Sequence, residues 1–136
     1  MKKYCIDNNV NLALRGEVVG GNGGSKGSGN KLNKDAKGDP KVIWFGVDDL
    51  QFGKAYRLNY SSEHNLKSIC DALEFEYTKP IFVGKLDYDG IIKMGNDIFE
   101  EYKEKYNHII EGIVIRTTKS NKLSCKYLNL EYDSKH

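Results

Sequence analysis

Residues 10–20 alternate apolar and polar positions well enough for a strand with one buried face, and four other short stretches of the chain are mostly apolar. Their apolar positions are rich in β-branched and aromatic residues, which favour strands. Pro80 lies where a strand begins, a position that proline tolerates. The pattern predicts strands at residues 10–20, 41–48, 79–86, 110–116 and 123–128.

Two other segments space their apolar residues three and four apart, the pattern of an amphipathic helix. The first covers residues 61–73 and begins with Ser61 and Ser62, either of which is a suitable N-cap. The second covers residues 89–106. Strands joined mostly by turns, with two helices inserted, predict an α+β fold built mainly on antiparallel sheet.

Residues 20–40 are rich in Gly, Asn, Lys and Ser and contain a single Leu, so they predict a long loop that buries almost nothing. A loop of this length within a domain is usually functional or disordered. The whole chain of 136 residues is sized for one domain.

Charge and cysteine content narrow the possible functions. The 21 Lys and Arg residues nearly balance 19 Asp and Glu residues, so any nucleic-acid contact must come from a local basic patch. The three cysteines lack metal-ligand spacing and indicate ordinary buried or half-buried thiols in a reducing compartment. Without a signal peptide or an apolar membrane-spanning stretch, we expect a cytoplasmic protein with no membrane partner.

Charged residues interrupt the apolar strands, where a charge is costly unless it is paired or binds a ligand. They are Glu17, Glu111, Arg116 and Lys126, and the aromatic pair Trp44 and Phe45 lies on a further strand. Carboxylates bind metal ions or ribose hydroxyls, cations bind phosphate, and an aromatic ring stacks on a base. Together these residue types predict a nucleotide pocket.

The stretches "LALRGEVVG", "VIWFGVDD", "EGIVIR" and "LSCKYLN" resemble, in order, motifs III, IIIa, IV and V of covalent nucleotidyltransferases. The combination most resembles the ATP-dependent RNA ligase family over nearly the whole chain. The resemblance implies an adenylation-domain fold, ATP or AMP with Mg²⁺ or Mn²⁺ as cofactors, RNA ends as partners, and RNA repair of a viral or phage-like kind.

The resemblance also implies residue roles. Glu17 would lie by the ribose or a metal ion, and Glu111 by the metal. Phe45 would stack on the purine, with Trp44 in that role if the register is off by one. Lys126 would hold the α-phosphate and assist adenylation, and Arg116 is a further candidate for binding the nucleotide phosphate.

Several features near these motifs leave alternatives open. Ser124 stands where motif V often carries a second lysine. Lys126 could instead be a solvated residue, or it could pair with a neighbour such as Glu131. In the Gly-rich loop, Lys26 and Lys31 could contact RNA phosphates.

The family's nucleophile, the lysine of K-x-D-G, should precede motif III, and the chain contains no such motif. Lys37 in "KGDP" and Lys85 in "KLDY" do not match, because Pro and Tyr replace the final Gly and both lysines come after motif III. We therefore expect an N-terminally incomplete adenylation domain, inactive alone. It would ligate RNA with a separate N-terminal fragment, or else be a non-catalytic module that binds nucleotide, RNA ends or protein. Exposed strand edges would favour homo-oligomers.

Overall fold

The computed structural model describes residues 1–21, 38–118 and 124–133, which form an α+β fold with antiparallel sheets. No described helix has the length and apolar content needed to cross a membrane. The described part of the chain has four helices, where the sequence predicted two. In chain order the elements are α1 (Lys2–Asn8), β1 (Leu12–Val19), β2 (Lys41–Gln51), β3 (Lys54–Arg57), α2 (Leu66–Leu73), α3 (Tyr88–Tyr106), β4 (Gly112–Arg116), β5 (Ser124–Leu128) and α4 (Leu130–Asp133).

The chain divides into two compact units. The first consists of Met1–Val18, Lys41–Pro80 and Thr117–Leu123. The second consists of Val19–Pro40, Ile81–Arg116 and Ser124–His136. Most of the three-stranded sheet lies in the first unit, and the two-stranded sheet lies in the second.

Strand β2 is the centre of the larger sheet and has β1 on one side and β3 on the other. The Leu50 N–H donates a hydrogen bond to the Asn11 carbonyl, and Gly16 lies beside Trp44. Later residues of β1 thus lie beside earlier residues of β2, so the two strands run antiparallel. Beyond the end of β3, the same edge of β2 is used by residues 76–78, which form a short parallel bridge with Trp44. Both edges of β2 are therefore paired.

The core of the first unit forms where α1 and α2 cover one face of this sheet. Leu12, Val47 and Ile69 are its buried centre. The alternation of the strands and the helical spacing of α2 bring these three side chains together. Helix α2 begins later than predicted, because Asn65 rather than Ser61 or Ser62 is the N-cap, and its side chain accepts a bond from the Ser68 amide at 2.9 Å.

The prediction of a strand at residues 79–86 was wrong. None of these residues, all within the described part of the chain, belongs to a strand. The preceding residues 76–78 already pair with β2, and Pro80 has no N–H to extend that pairing. Ile81 and Val83 consequently remain exposed, although their β-branched side chains favour a strand.

In the second unit, the predicted helix and the last two predicted strands are confirmed as α3, β4 and β5. Asp87 caps the start of α3 by accepting a bond from the Gly90 amide at 2.7 Å. The short helix α4 was not predicted, since its single turn offers too few residues to show a helical period. Helix α1, in the first unit, was not predicted for the same reason, because it has only seven residues.

Candidate functional site

Strands β4 and β5 form an antiparallel hairpin with one face against α3. Tyr127 is on that face, with its ring 5.6 Å from the ring of Phe99 and its hydroxyl donating to Asn96 at 2.9 Å. Gly95 of α3 lies directly under Tyr127, and a β-carbon there would collide with the ring. The helix and the hairpin are therefore in close contact, and Tyr127 fixes their spacing.

The opposite face of the hairpin is open. Side chains alternate along a strand, so Lys126, next to Tyr127, points away from α3. Val114, directly opposite Lys126 in the register, is 57% exposed. Arg116 lies two residues further along β4, roughly 7 Å away at the usual rise per residue. The face thus combines exposed cations with an apolar side chain.

Lys126 pairs with Glu111, the residue immediately before β4. Its ammonium group donates to Glu111 Oε1, and the side chains are 39% and 54% exposed. The predicted motif IV carboxylate and motif V lysine thus meet at one end of the hairpin. The alternative that Lys126 pairs with a neighbouring residue is therefore confirmed, but its example of a partner, Glu131, was wrong, because Glu131 pairs with Lys103. This hydrogen bond from Lys103 to the Glu131 carboxylate raises the pKa of the lysine.

Asn129 positions Glu111, a role that the sequence reasoning missed. Its backbone N–H donates to the Glu111 carbonyl at 2.8 Å, and its side-chain amide donates to the Ile110 carbonyl at 3.0 Å. Its side-chain oxygen also accepts from the Glu131 amide at 3.1 Å at the start of α4. Asn129 is buried. An Asn between a strand and a possible helical turn is a recognisable N-cap signal.

Trp44 and Phe45, the two candidate stacking residues, lie in β2 of the first unit. Trp44 stacks on Phe75 with 5.9 Å between the ring centroids, and it also covers Gly16, where a β-carbon would come within 2.6 Å of its ring. The Arg15 guanidinium carbon lies 5.6 Å from the Phe45 ring centroid. Both rings thus have contacts within the unit.

A second feature that the sequence reasoning missed is the pair of Arg15 with Asp48, joined at 3.0 Å between Nε and Oδ2. Asp48 is buried, and its Oδ1 has no hydrogen-bond partner among the described residues. The guanidinium lies over Gly46, where a side chain would displace it. Charged residues facing each other on neighbouring strands would have been a signal for this pair.

The structure distributes the predicted site residues over the two units. Glu111, Arg116 and Lys126 share the hairpin, whereas Glu17, which is exposed, belongs to the first unit with the aromatic pair. A metal site shared by Glu17 and Glu111 therefore stays a prediction. Lys26 and Lys31 of the Gly-rich loop lie outside the described residues.

The hairpin alone supplies only part of the ligand set that a divalent cation needs. Among the described residues, no group of three His, Cys, Asp or Glu side chains could hold a metal ion. Mg²⁺ in phosphate sites often takes one or two carboxylates and completes its shell with phosphate oxygens and water. Glu111 could supply one such carboxylate to an ion that arrives with a phosphate ligand.

Comparisons of the chain with protein-family models, curated proteins and solved structures gave no match. The chemistry of the candidate site therefore rests on its own geometry. An exposed ammonium group beside an exposed carboxylate can bind a phosphate and, through the carboxylate, a cation associated with that phosphate.

Proposed function

We propose that this chain is an RNA ligase-like adenylation-domain fragment whose β4–β5 hairpin binds the phosphate of a nucleotide or of an RNA end. The observation that carries the proposal is the meeting of Lys126 and Glu111 at one end of the β4–β5 hairpin. The motif resemblance assigns phosphate to the lysine and metal to the glutamate. Their adjacency supports both roles, because phosphate and a divalent cation bind side by side.

The ion pair supplies a simple binding mechanism. Both side chains are partly exposed, so the pair contributes little to stability and can open at low cost. An incoming phosphate oxygen would then replace the Glu111 carboxylate as the acceptor for the Lys126 ammonium group. The released Glu111 carboxylate would face the cation that accompanies the phosphate.

Ligation would need a lysine that these 136 residues do not provide in a K-x-D-G motif. In a complemented enzyme, the amine of that lysine would attack the α-phosphorus of ATP. A P–N bond forms, the α–β anhydride bond breaks, pyrophosphate leaves, and the amine proton passes to solvent. AMP would then pass to the 5′-phosphate of one RNA end, and the 3′-hydroxyl of the other end would displace it. Lys126 would hold the α-phosphate during the first step.

A second candidate function is a non-catalytic module that binds nucleotide or RNA ends. The absence of a K-x-D-G motif from these residues favours it, and the phosphate site would be the same. An N-terminal fragment containing K-x-D-G separates the two candidates. Only the ligase proposal predicts that mixing the fragment with this chain and ATP yields a covalent AMP adduct on the fragment.

The phosphate site is tested by titrating wild type and Lys126→Ala with ATP and with a short 5′-phosphorylated RNA at low and moderate salt. Lys93→Ala is the matched control, since Lys93 is an exposed lysine of the same unit in an ion pair with Asp97. We expect weak, salt-dependent binding by wild type and by the control, and weaker binding by Lys126→Ala. Equal affinities for all three proteins at low salt would refute the site.

A further inference from the structure

The turn between β2 and β3 has an unusual residue at its tip. Gln51 and Lys54 form the last pair of the hairpin, so Phe52 and Gly53 are a two-residue loop. Both have positive φ, 49° and 75° respectively. Turns of this kind prefer Asn or Asp followed by Gly, because these residues tolerate the left-handed region. A bulky phenylalanine rarely adopts it.

Packing does not explain the phenylalanine. Phe52 is fully exposed, with a relative accessibility of 101%, so its ring contributes nothing to the core. The backbone conformation is unfavourable for the residue and the side chain is unfavourable in water. A residue that is both strained and exposed suggests a role in binding rather than in folding.

The surroundings of Phe52 indicate what it would bind. Lys54, next to the turn, is exposed and makes no ion pair with the described residues. Tyr56 follows on the same face of β3 and is 51% exposed. The carboxylate of Asp49, opposite Tyr56, accepts a hydrogen bond from Gln51. The tip therefore presents two aromatic rings and a cation that has no ion-pair partner in the described part of the chain.

We propose that Phe52 stacks on a base of single-stranded RNA, with Lys54 contacting a neighbouring phosphate. Proteins that bind single strands combine aromatic rings, on which bases stack, with cations that contact the backbone. The choice of RNA rests on the proposed function. A protein pocket could also accept a lone ring, but Lys54 and the second ring of Tyr56 favour a polyanion that carries bases.

Two substitutions of Phe52 separate binding from stability. Phe52→Asn removes the ring and supplies a residue that the turn prefers, so we expect the melting temperature to rise by roughly 2–6 °C. The same change should weaken binding of a labelled single-stranded oligoribonucleotide by about five-fold or more, measured by fluorescence anisotropy at low salt. Phe52→Tyr keeps the ring and should retain the wild-type affinity.

A competitor without bases tests the stacking itself. Inorganic polyphosphate should bind wild type and Phe52→Asn equally, while Lys54→Gln should weaken binding of both polyphosphate and RNA. Unchanged RNA affinity in Phe52→Asn would overturn the proposal. Equal losses of RNA and polyphosphate binding would also overturn it, since they would indicate a disturbed hairpin rather than a lost stack.

The outcome is distinguishable from failure of the phosphate site. AMP binding and its dependence on Lys126 report on the β4–β5 hairpin, whereas the effect of Phe52→Asn on RNA binding reports on the β2–β3 turn. RNA binding that depends on Phe52 without AMP binding would refute the nucleotide site and leave this inference standing. If AMP binding depends on Lys126 but RNA binding is unchanged in Phe52→Asn, the nucleotide site stands and the inference about Phe52 is refuted.

Discussion

The ion pair between Glu111 and Lys126 makes the carboxylate a competitor of any phosphate that binds the lysine. Glu111→Gln removes the competing charge and keeps the size of the side chain. The side chains are 54% and 39% exposed, so the pair contributes roughly 0.2–1 kcal/mol. A ligand that binds without metal must offset this free energy. Glu111→Gln should therefore bind AMP about 1.4- to 5-fold more tightly than wild type in the absence of divalent ions.

Addition of Mg²⁺ should favour AMP binding by wild type over AMP binding by Glu111→Gln. In wild type, the released carboxylate can face the cation, so metal and phosphate should strengthen each other's binding, and this coupling must be reciprocal. The Gln side chain lacks the charge that attracts Mg²⁺. We expect Mg²⁺ to increase the AMP affinity of wild type more than that of Glu111→Gln.

Isothermal titration calorimetry with AMP, with and without Mg²⁺, measures both effects. AMP is the suitable ligand because it carries a single phosphate group. Glu101→Gln is the control, since Glu101 is an exposed carboxylate paired with Lys105 in the same unit. If Glu111→Gln binds AMP without metal no better than wild type, or if Mg²⁺ stimulates both proteins equally, then Glu111 does not compete for Lys126 in the way described.

The isolated chain should form no covalent AMP adduct, so a labelled band on a denaturing gel after incubation with labelled ATP and Mg²⁺ would contradict the assignment of the missing nucleophile. Gly95→Ala should destabilise the protein by about 1 kcal/mol in urea unfolding, because the clash with Tyr127 outweighs the gain in helix propensity, whereas Glu100→Ala on the exposed side of the same helix should have little effect. The hydrogen bond from Lys67 is the main cause of the lowered pKa of Asp71. The ionised carboxylate therefore stabilises the fold at pH values above its ordinary pKa, and this stabilisation is lost as the pH falls through the lowered pKa of the folded state. Melting temperatures from neutral pH to pH 3 should then show a small advantage of wild type over Asp71→Asn that decreases toward the acid end, and an advantage that does not decrease would argue against the linkage.

Local sequence patterns were sufficient for the elements that have a clear period. The alternation in β1, the β-branched and aromatic run in β2 and the helical spacing in α3 identify these elements without tertiary information, because each pattern is a property of the local sequence. The motif resemblance assigned Glu111 and Lys126 to one predicted pocket, but it did not identify Glu111 as the partner of Lys126. Their adjacency follows from the antiparallel register of two neighbouring strands, which a short connection favours.

Only the tertiary structure decided which segments pair, because a strand needs a partner edge as well as a suitable sequence. Residues 79–86 have the composition of a strand, yet residues 76–78 use the edge of β2 instead. The pairing of Arg15 with Asp48, 33 positions apart, depends on the register of β1 against β2. The tight β2–β3 turn likewise holds Phe52 at positive φ, a conformation that its sequence disfavours, because the cross-strand bonds on both sides determine the path of the chain.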